Sequence, residues 1–260
     1  IMNSPIPKIR KGLLDPERRK KGIYILPNLF TCAALFAGFY AIVQGMNGKF
    51  EVACIAIFCA MVLDGLDGRV ARMTRTQSEF GAQLDSLSDM VSFGAAPALV
   101  MYEWALKPLG KWGWMAAFVY CVCAALRLAR FNTNVGVVDK RFFQGLPSPA
   151  AACLAAGMIW VFNEYHVLGG DVAWLTWGVA VFAGVTMIST VPYYSGKDFN
   201  LRRSVPFWVV PAMVLCYLLI SIQPSHVLFG VFVCYAVSGY VIGAARLLRA
   251  TGKKPPTASA

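Results

Sequence analysis

Charged residues are scarce in this sequence. Only 14% of its 260 residues are Asp, Glu, Lys or Arg, against about 25% in soluble globular domains. That deficit excludes a soluble domain. Acids are scarcer than bases, with 13 Asp and Glu against 24 Lys and Arg, for a net charge of +11. Histidine is nearly missing: there are two, His166 and His226, and neither stands near a cysteine pair. Cys121-x-Cys123 is too tightly spaced for a usual zinc pair, so a Cys/His zinc site is excluded. The eight cysteines (32, 54, 59, 121, 123, 153, 216 and 234) all fall inside apolar runs, where they read as small packing residues.

What is abundant is apolar sequence, 58% of the chain. A bilayer crossing needs about 20 helical residues. Stretches of that order lie near 24–46, 50–73, 79–106, 112–133, 148–165, 172–194, 205–222 and 226–249. They are separated by breakers such as Asn47-Gly48, Lys107-Pro108-Leu109-Gly110, Gly169-Gly170 and Gln223-Pro224. In lipid the backbone must satisfy its own hydrogen bonds. The predicted fold is therefore all-α, a polytopic membrane bundle of about eight transmembrane helices.

The basic residues fix an orientation. With the N-terminus inside, 21 of the 24 Lys and Arg fall on the inner side, leaving Lys49, Lys107 and Lys111 outside. This positive-inside split predicts cytoplasmic termini and an even number of spans. It also assigns the +11 charge to membrane lipids as partners, not to nucleic acid. Residues 1–23 read as a basic juxtamembrane segment held by anionic lipid, and 251–260 as a disordered tail.

Against this background the acids are patterned. They run Asp64-x2-Asp67-Gly68-x2-Ala71-Arg72-x8-Gly81-x3-Asp85-x3-Asp89. Asp64, Asp67, Gly68 and Ala71 share one face of the second span, and Gly81, Asp85 and Asp89 one face of the third. The two spans are consecutive and antiparallel, so four carboxylates converge. Ionised groups inside spans are expensive and mark function. Four such charges call for hard divalent cations on oxygen ligands, Mg²⁺ or Mn²⁺, and two ions would clamp a transferring phosphoryl group. Asp67 lies about 8 Å from Arg72 along a helix rising ~1.5 Å per residue, which puts the site in the cytoplasmic leaflet. Gly68, Ala71 and Gly81 leave room for a nucleotide. A purely structural role, with the acids paired to Arg69 and Arg72, leaves two negative charges over. A cation or proton pathway would need broken mid-membrane helices or an internal repeat, and the aspartate pattern does not recur in the second half.

These residues resemble the signature of the CDP-alcohol phosphotransferase family at all its positions. The resemblance implies a six-span core, here 24–194, followed by two added spans over 195–250. It implies two metal ions on Asp64, Asp67, Asp85 and Asp89, with Asp89 also the general base. It implies a nucleotide held by Gly68, Ala71, Arg72 and Gly81, and a homodimer. Three further stretches are similar to the phosphatidylserine-forming branch: Leu26-Pro-Asn-Leu-Phe-Thr31, Ala129-Arg-Phe-Asn132 and Gly145-Leu-Pro-Ser-Pro149. That branch would use CDP-diacylglycerol and L-serine in a bacterial inner membrane. Serine's carboxylate wants a cation, and Arg130 is the first choice, with Arg127 as the other. Asn28, Thr31, Ser92, Asn132 and Ser148 are candidates to hydrogen-bond the acceptor. Glycerol 3-phosphate, inositol phosphate and choline are the other acceptors open to the same chemistry.

Overall fold

The computed structural model describes residues 16–74, 76, 78–133, 142–194 and 209–251. In chain order the elements are α1 (Pro16–Met46), α2 (Phe50–Thr74), α3 (Glu79–Asp89), α4 (Ala96–Met101), α5 (Lys111–Thr133), β1 (Phe142–Gln144), α6 (Ser148–Glu164), α7 (Ala173–Ile188), β2 (Pro192–Tyr194), α8 (Val209–Ile222) and α9 (Pro224–Thr251). Two wide π-turns, Met90–Ala95 and Tyr102–Leu106, join α3 to α4 and extend α4, so one rod runs from 79 to 106. Eight helical rods result among the described residues. The segments 1–15, 195–208 and 252–260 lie outside them, and with these most of the basic leader and the C-terminal tail.

The all-α membrane bundle read from composition is the observed class. By length and apolarity alone, four segments suffice to cross a membrane: Leu26–Met46, Lys111–Thr133, Gly169–Ile188 and Pro224–Ala245. The other rods are diluted or short. α2 is 25 residues long but carries Asp64, Asp67, Arg69 and Arg72, while α6 has 17 residues and α8 has 14. The outer surface is apolar, with Phe36, Phe39, Leu99, Phe118, Met213 and Leu215 exposed. Trp112, Trp114 and Trp174 are also exposed, at the starts of α5 and α7. That is where an aromatic belt meets the membrane–water boundary.

The centre of the bundle is α6. Nearly every residue from Ser148 to Val161 is buried, five of them alanine, which marks a helix enclosed on all sides. Small side chains let the backbones approach closely. Ala34, Ala37, Ala41, Ala53 and Ala60 do the same between α1 and α2. Gly38 permits a close approach of the third rod: a Cβ there would lie 2.6 Å from the Ser92 Cα.

One expectation is corrected. The sixth span was expected to run to 194, but α7 ends at Ile188. Ser189 turns extended at ψ 164°, and Pro192, without an N–H, cannot continue a helix. Residues 192–194 form an antiparallel ribbon with 142–144, pairing Phe142 with Tyr194, Phe143 with Tyr193 and Gln144 with Pro192. Gly145 closes the ribbon at φ +81°, and a Cβ there would lie 2.3 Å from the Met187 carbonyl oxygen. Gly145→Ala is accordingly expected to lower stability by more than about 1 kcal/mol. Thermal unfolding of the purified protein in detergent measures this, and an unchanged midpoint would contradict it.

Candidate active site

Ser78 starts α3 as its N-cap, accepting the Gly81 backbone N–H at 3.0 Å. This fixes where the helix begins and therefore which face carries the acids. Asp85 and Asp89 follow at four-residue spacing on the side turned toward α2. On α2, Asp64 and Asp67 sit three apart on the facing side. Ligand oxygens of Asp64, Asp67 and Asp85 come within 4.8 Å of one another. Asp64 is within hydrogen-bonding reach of both Asp85 and Asp89. All four carboxylates thus form one cluster.

Carboxylates at such separations repel unless a cation or proton lies between them. Asp85 Oδ1 and Asp89 Oδ1 are buried and have no hydrogen-bond partner. Unsatisfied buried carboxylate oxygens pointing into an all-oxygen cluster fit a hard divalent cation. The residues present therefore suit the metal ions that the sequence calls for.

α1 braces both arms of the cluster. Thr31 is buried and donates to Asp67 Oδ2 at 2.7 Å. Its carbonyl accepts from Ser88 at 3.2 Å, and one turn on Ser92 donates to the Ala34 carbonyl at 3.0 Å. In an unbroken α-helix Ser92 would share the face of Asp85 and Asp89. The π-turn that begins at Met90 inserts extra backbone and brings Ser92 into line with Ser88, facing α1. Thr31 and Ser92, expected at the acceptor, are committed here to a metal-ligand candidate and to helix packing.

The remaining expected residues separate in the same way. Asn28 stands beside Gly81: its Oδ1 would be 3.1 Å from a Cβ at that glycine. Gly68, Ala71 and Arg72 lie on the last turns of α2, with the Arg72 guanidinium lying over Gly68. They bound the same end of the cluster as Gly81. Asn132 donates to Ser86 at 3.0 Å on the outer side of α3. Arg130, the expected first choice for the acceptor carboxylate, spends its guanidinium on backbone. It donates to the carbonyls of Ile188 and Gln144 at 2.9 Å, and to Met187 and Ser189 at 3.4 Å. It caps the negative end of the α7 dipole and pins the ribbon.

Arg127, one turn earlier on α5, is placed differently. It is half-buried, bonds Ser148 Oγ at 2.7 Å, and lies within electrostatic reach of Asp89 and Asp64. No ion pair closes it onto a carboxylate among the described residues. Ser148 is its one hydrogen-bond partner among the described residues. Ser78 and the Arg127–Ser148 pair are the residues that sequence reasoning undervalued. A serine just before the first residue of an apolar-periodic helix was the available signal for the cap.

A family model for CDP-alcohol phosphatidyltransferases matches residues 24–188, which hold the whole cluster. The chain belongs to the CDP-alcohol phosphatidyltransferase family. Within it, the chain is similar to the CDP-diacylglycerol--serine O-phosphatidyltransferase of Helicobacter pylori strain J99, at 36% identity over 225 residues, covering 84% of this chain and 92% of the relative. It is 30% identical over 225 residues to the protein of that name from Mycobacterium tuberculosis strain H37Rv, covering 84% of this chain and 78% of the relative. It is 32% identical over 179 residues to the archaetidylserine synthase of Methanothermobacter thermautotrophicus, covering 68% and 72%. As a CDP-alcohol phosphatidyltransferase the chain is a transferase of lipid synthesis, and the matched segment is the one in which the carboxylates meet.

Proposed function

We propose that this chain transfers the phosphatidyl group of CDP-diacylglycerol to the hydroxyl of L-serine, giving phosphatidylserine and CMP. The convergence of Asp64, Asp67, Asp85 and Asp89 beside a half-buried arginine carries the reading. The names of the bacterial and archaeal relatives support serine as the alcohol.

In this reading the four aspartates hold two divalent ions, Mg²⁺ or Mn²⁺. When bound, these ions offset charge on the pyrophosphate and on departing CMP. Gly68, Ala71, Arg72 and Gly81 receive the cytidine nucleotide at the α2–α3 end, with Asn28 beside Gly81. Asp89 accepts the proton of the serine hydroxyl. The serine oxygen forms its bond to the lipid-bearing phosphorus as the bond from that phosphorus to the CMP oxygen breaks. Arg127 takes the serine carboxylate, because it is held by one side chain, Ser148, where Arg130 is spent on four backbone carbonyls. Residues 24–194 form the catalytic core, 195–250 add two helices, and the protein acts as a homodimer. In this reading the face lies in the cytoplasm, in a bacterial inner membrane, and the excess of basic residues on that side supports the orientation. Water-soluble serine enters from that side while acyl chains stay in lipid.

The test is product identification. The purified protein is supplied with CDP-diacylglycerol, Mg²⁺ or Mn²⁺, and serine, glycerol 3-phosphate, inositol phosphate or choline separately. CMP release with phosphatidylserine as the product is expected from serine alone. Turnover confined to another alcohol would overturn the serine reading.

A further inference from the structure

The helix α9 lies wholly beyond the family-matched segment 24–188, yet it makes specific polar contacts with the part of the chain that carries Arg127, Arg130 and Ser148. Tyr193, at the centre of β2, is fully buried and donates to the Ala236 carbonyl at 2.8 Å. Its ring fills the space over Gly239, where a Cβ would lie 2.3 Å away. Tyr240 and Thr186 share a hydrogen bond of 2.6 Å, tying α9 to the end of α7. Tyr235 packs its ring against Tyr193 at 5.5 Å and donates to the Tyr194 carbonyl at 3.3 Å.

These contacts lead to the site through the ribbon. β2 pairs with β1, whose Gln144 carbonyl is held by Arg130. The ribbon then runs through Gly145 and Leu146, whose N–H groups bond the Val191 and Thr186 carbonyls, into Ser148, the partner of Arg127. A half-buried guanidinium needs neighbours that hold it in one direction; Ser148 is one, and α9 braces the ribbon that leads into it.

We propose that Tyr235, together with Tyr193, is a positioning residue that braces the ribbon leading into Ser148 and thereby aims Arg127 at the acceptor, so that α9 is part of the acceptor-recognition machinery. This rests on the role given to Arg127 above. The tyrosine touches no reacting atom. It acts on how well the acceptor's anionic group is bound and leaves the phosphorus chemistry to the aspartates. Binding lost equally from ground and transition states raises KM without lowering kcat.

The experiment uses the full chain with CDP-diacylglycerol and Mn²⁺, comparing wild type, Tyr235→Phe and Tyr193→Phe. The acceptor KM is expected to rise about threefold or more in both variants, as for loss of one modest hydrogen bond. The kcat and the CDP-diacylglycerol KM should stay within about twofold of wild type. An unchanged acceptor KM in either variant overturns the assignment. So does a fall in kcat shared across both substrates with a lowered unfolding midpoint, the signature of a merely structural role. If the wild type turns over an alcohol other than serine, the serine reading falls, and the KM for that alcohol decides the role of Tyr235.

Discussion

Asp89→Asn is expected to reduce CMP release from CDP-diacylglycerol and serine by roughly 10²- to 10⁴-fold, the usual contribution of a positioned general base. The change keeps the size of the side chain and one oxygen ligand, and removes the ability to take a proton. Asp89 sits at the last residue of α3, with Oδ1 buried and unpartnered. No backbone hydrogen bond depends on its carboxylate, so the fold is expected to survive, as judged by an unchanged elution profile and unfolding midpoint. The neutral amide relieves repulsion with Asp64 and Asp85, so stability should hold or rise slightly. Turnover at the wild-type rate would remove Asp89 from the chemistry.

Chelation of divalent cations is expected to abolish transfer, with Mg²⁺ or Mn²⁺ restoring it. The physical reason lies in the spacing: acidic oxygens from three aspartates within 4.8 Å, and the fourth in contact with Asp64. A second readout separates metal binding from catalysis. A ligand that binds only the folded state raises the unfolding midpoint in proportion to its excess over Kd. Adding Mn²⁺ to chelated wild type should raise that midpoint, and adding it to an Asp64→Asn, Asp85→Asn double variant should not. Full activity in excess chelator, or equal stabilisation of wild type and double variant, would count against a metal centre here.

The carboxylate cluster was legible in the sequence because helical geometry converts spacing into direction. Residues three and four apart share a face, and the short 74–78 connection makes the two faces meet. The third rod was legible for a similar reason, an unbroken apolar run from 79 to 106, although it contains two π-turns that no spacing rule revealed. The ribbon was not. Phe142–Gln144 and Pro192–Tyr194 are three residues each, too short for an alternating pattern, and apolar enough to be absorbed into neighbouring spans. Pro192 was the missed stop signal. The arginines misled for a different reason. Counting cations by side locates them at one end of the bundle. It does not say that Arg130 would turn to the carbonyls of α7 while Arg127, three residues earlier, bonds the Ser148 hydroxyl beside the carboxylates. Thr31 likewise read as an acceptor contact because its level in the membrane was right, while its partner, Asp67, depended on how α1 and α2 rotate against each other.

The bond from Thr31 to Asp67 also bears on how the chain is built. Each aspartate in a lipid-embedded helix opposes insertion by up to about 3 kcal/mol at mid-membrane depth. Two aspartates fall in α2 and two in α3, so these are the helices least able to enter a bilayer alone. α1 precedes both and carries the Thr31 hydroxyl and the Thr31 and Ala34 carbonyls that later bond Asp67, Ser88 and Ser92. During synthesis the first helix can therefore wait in the membrane as a polar template, and α2 and α3 gain by entering against it as a hairpin.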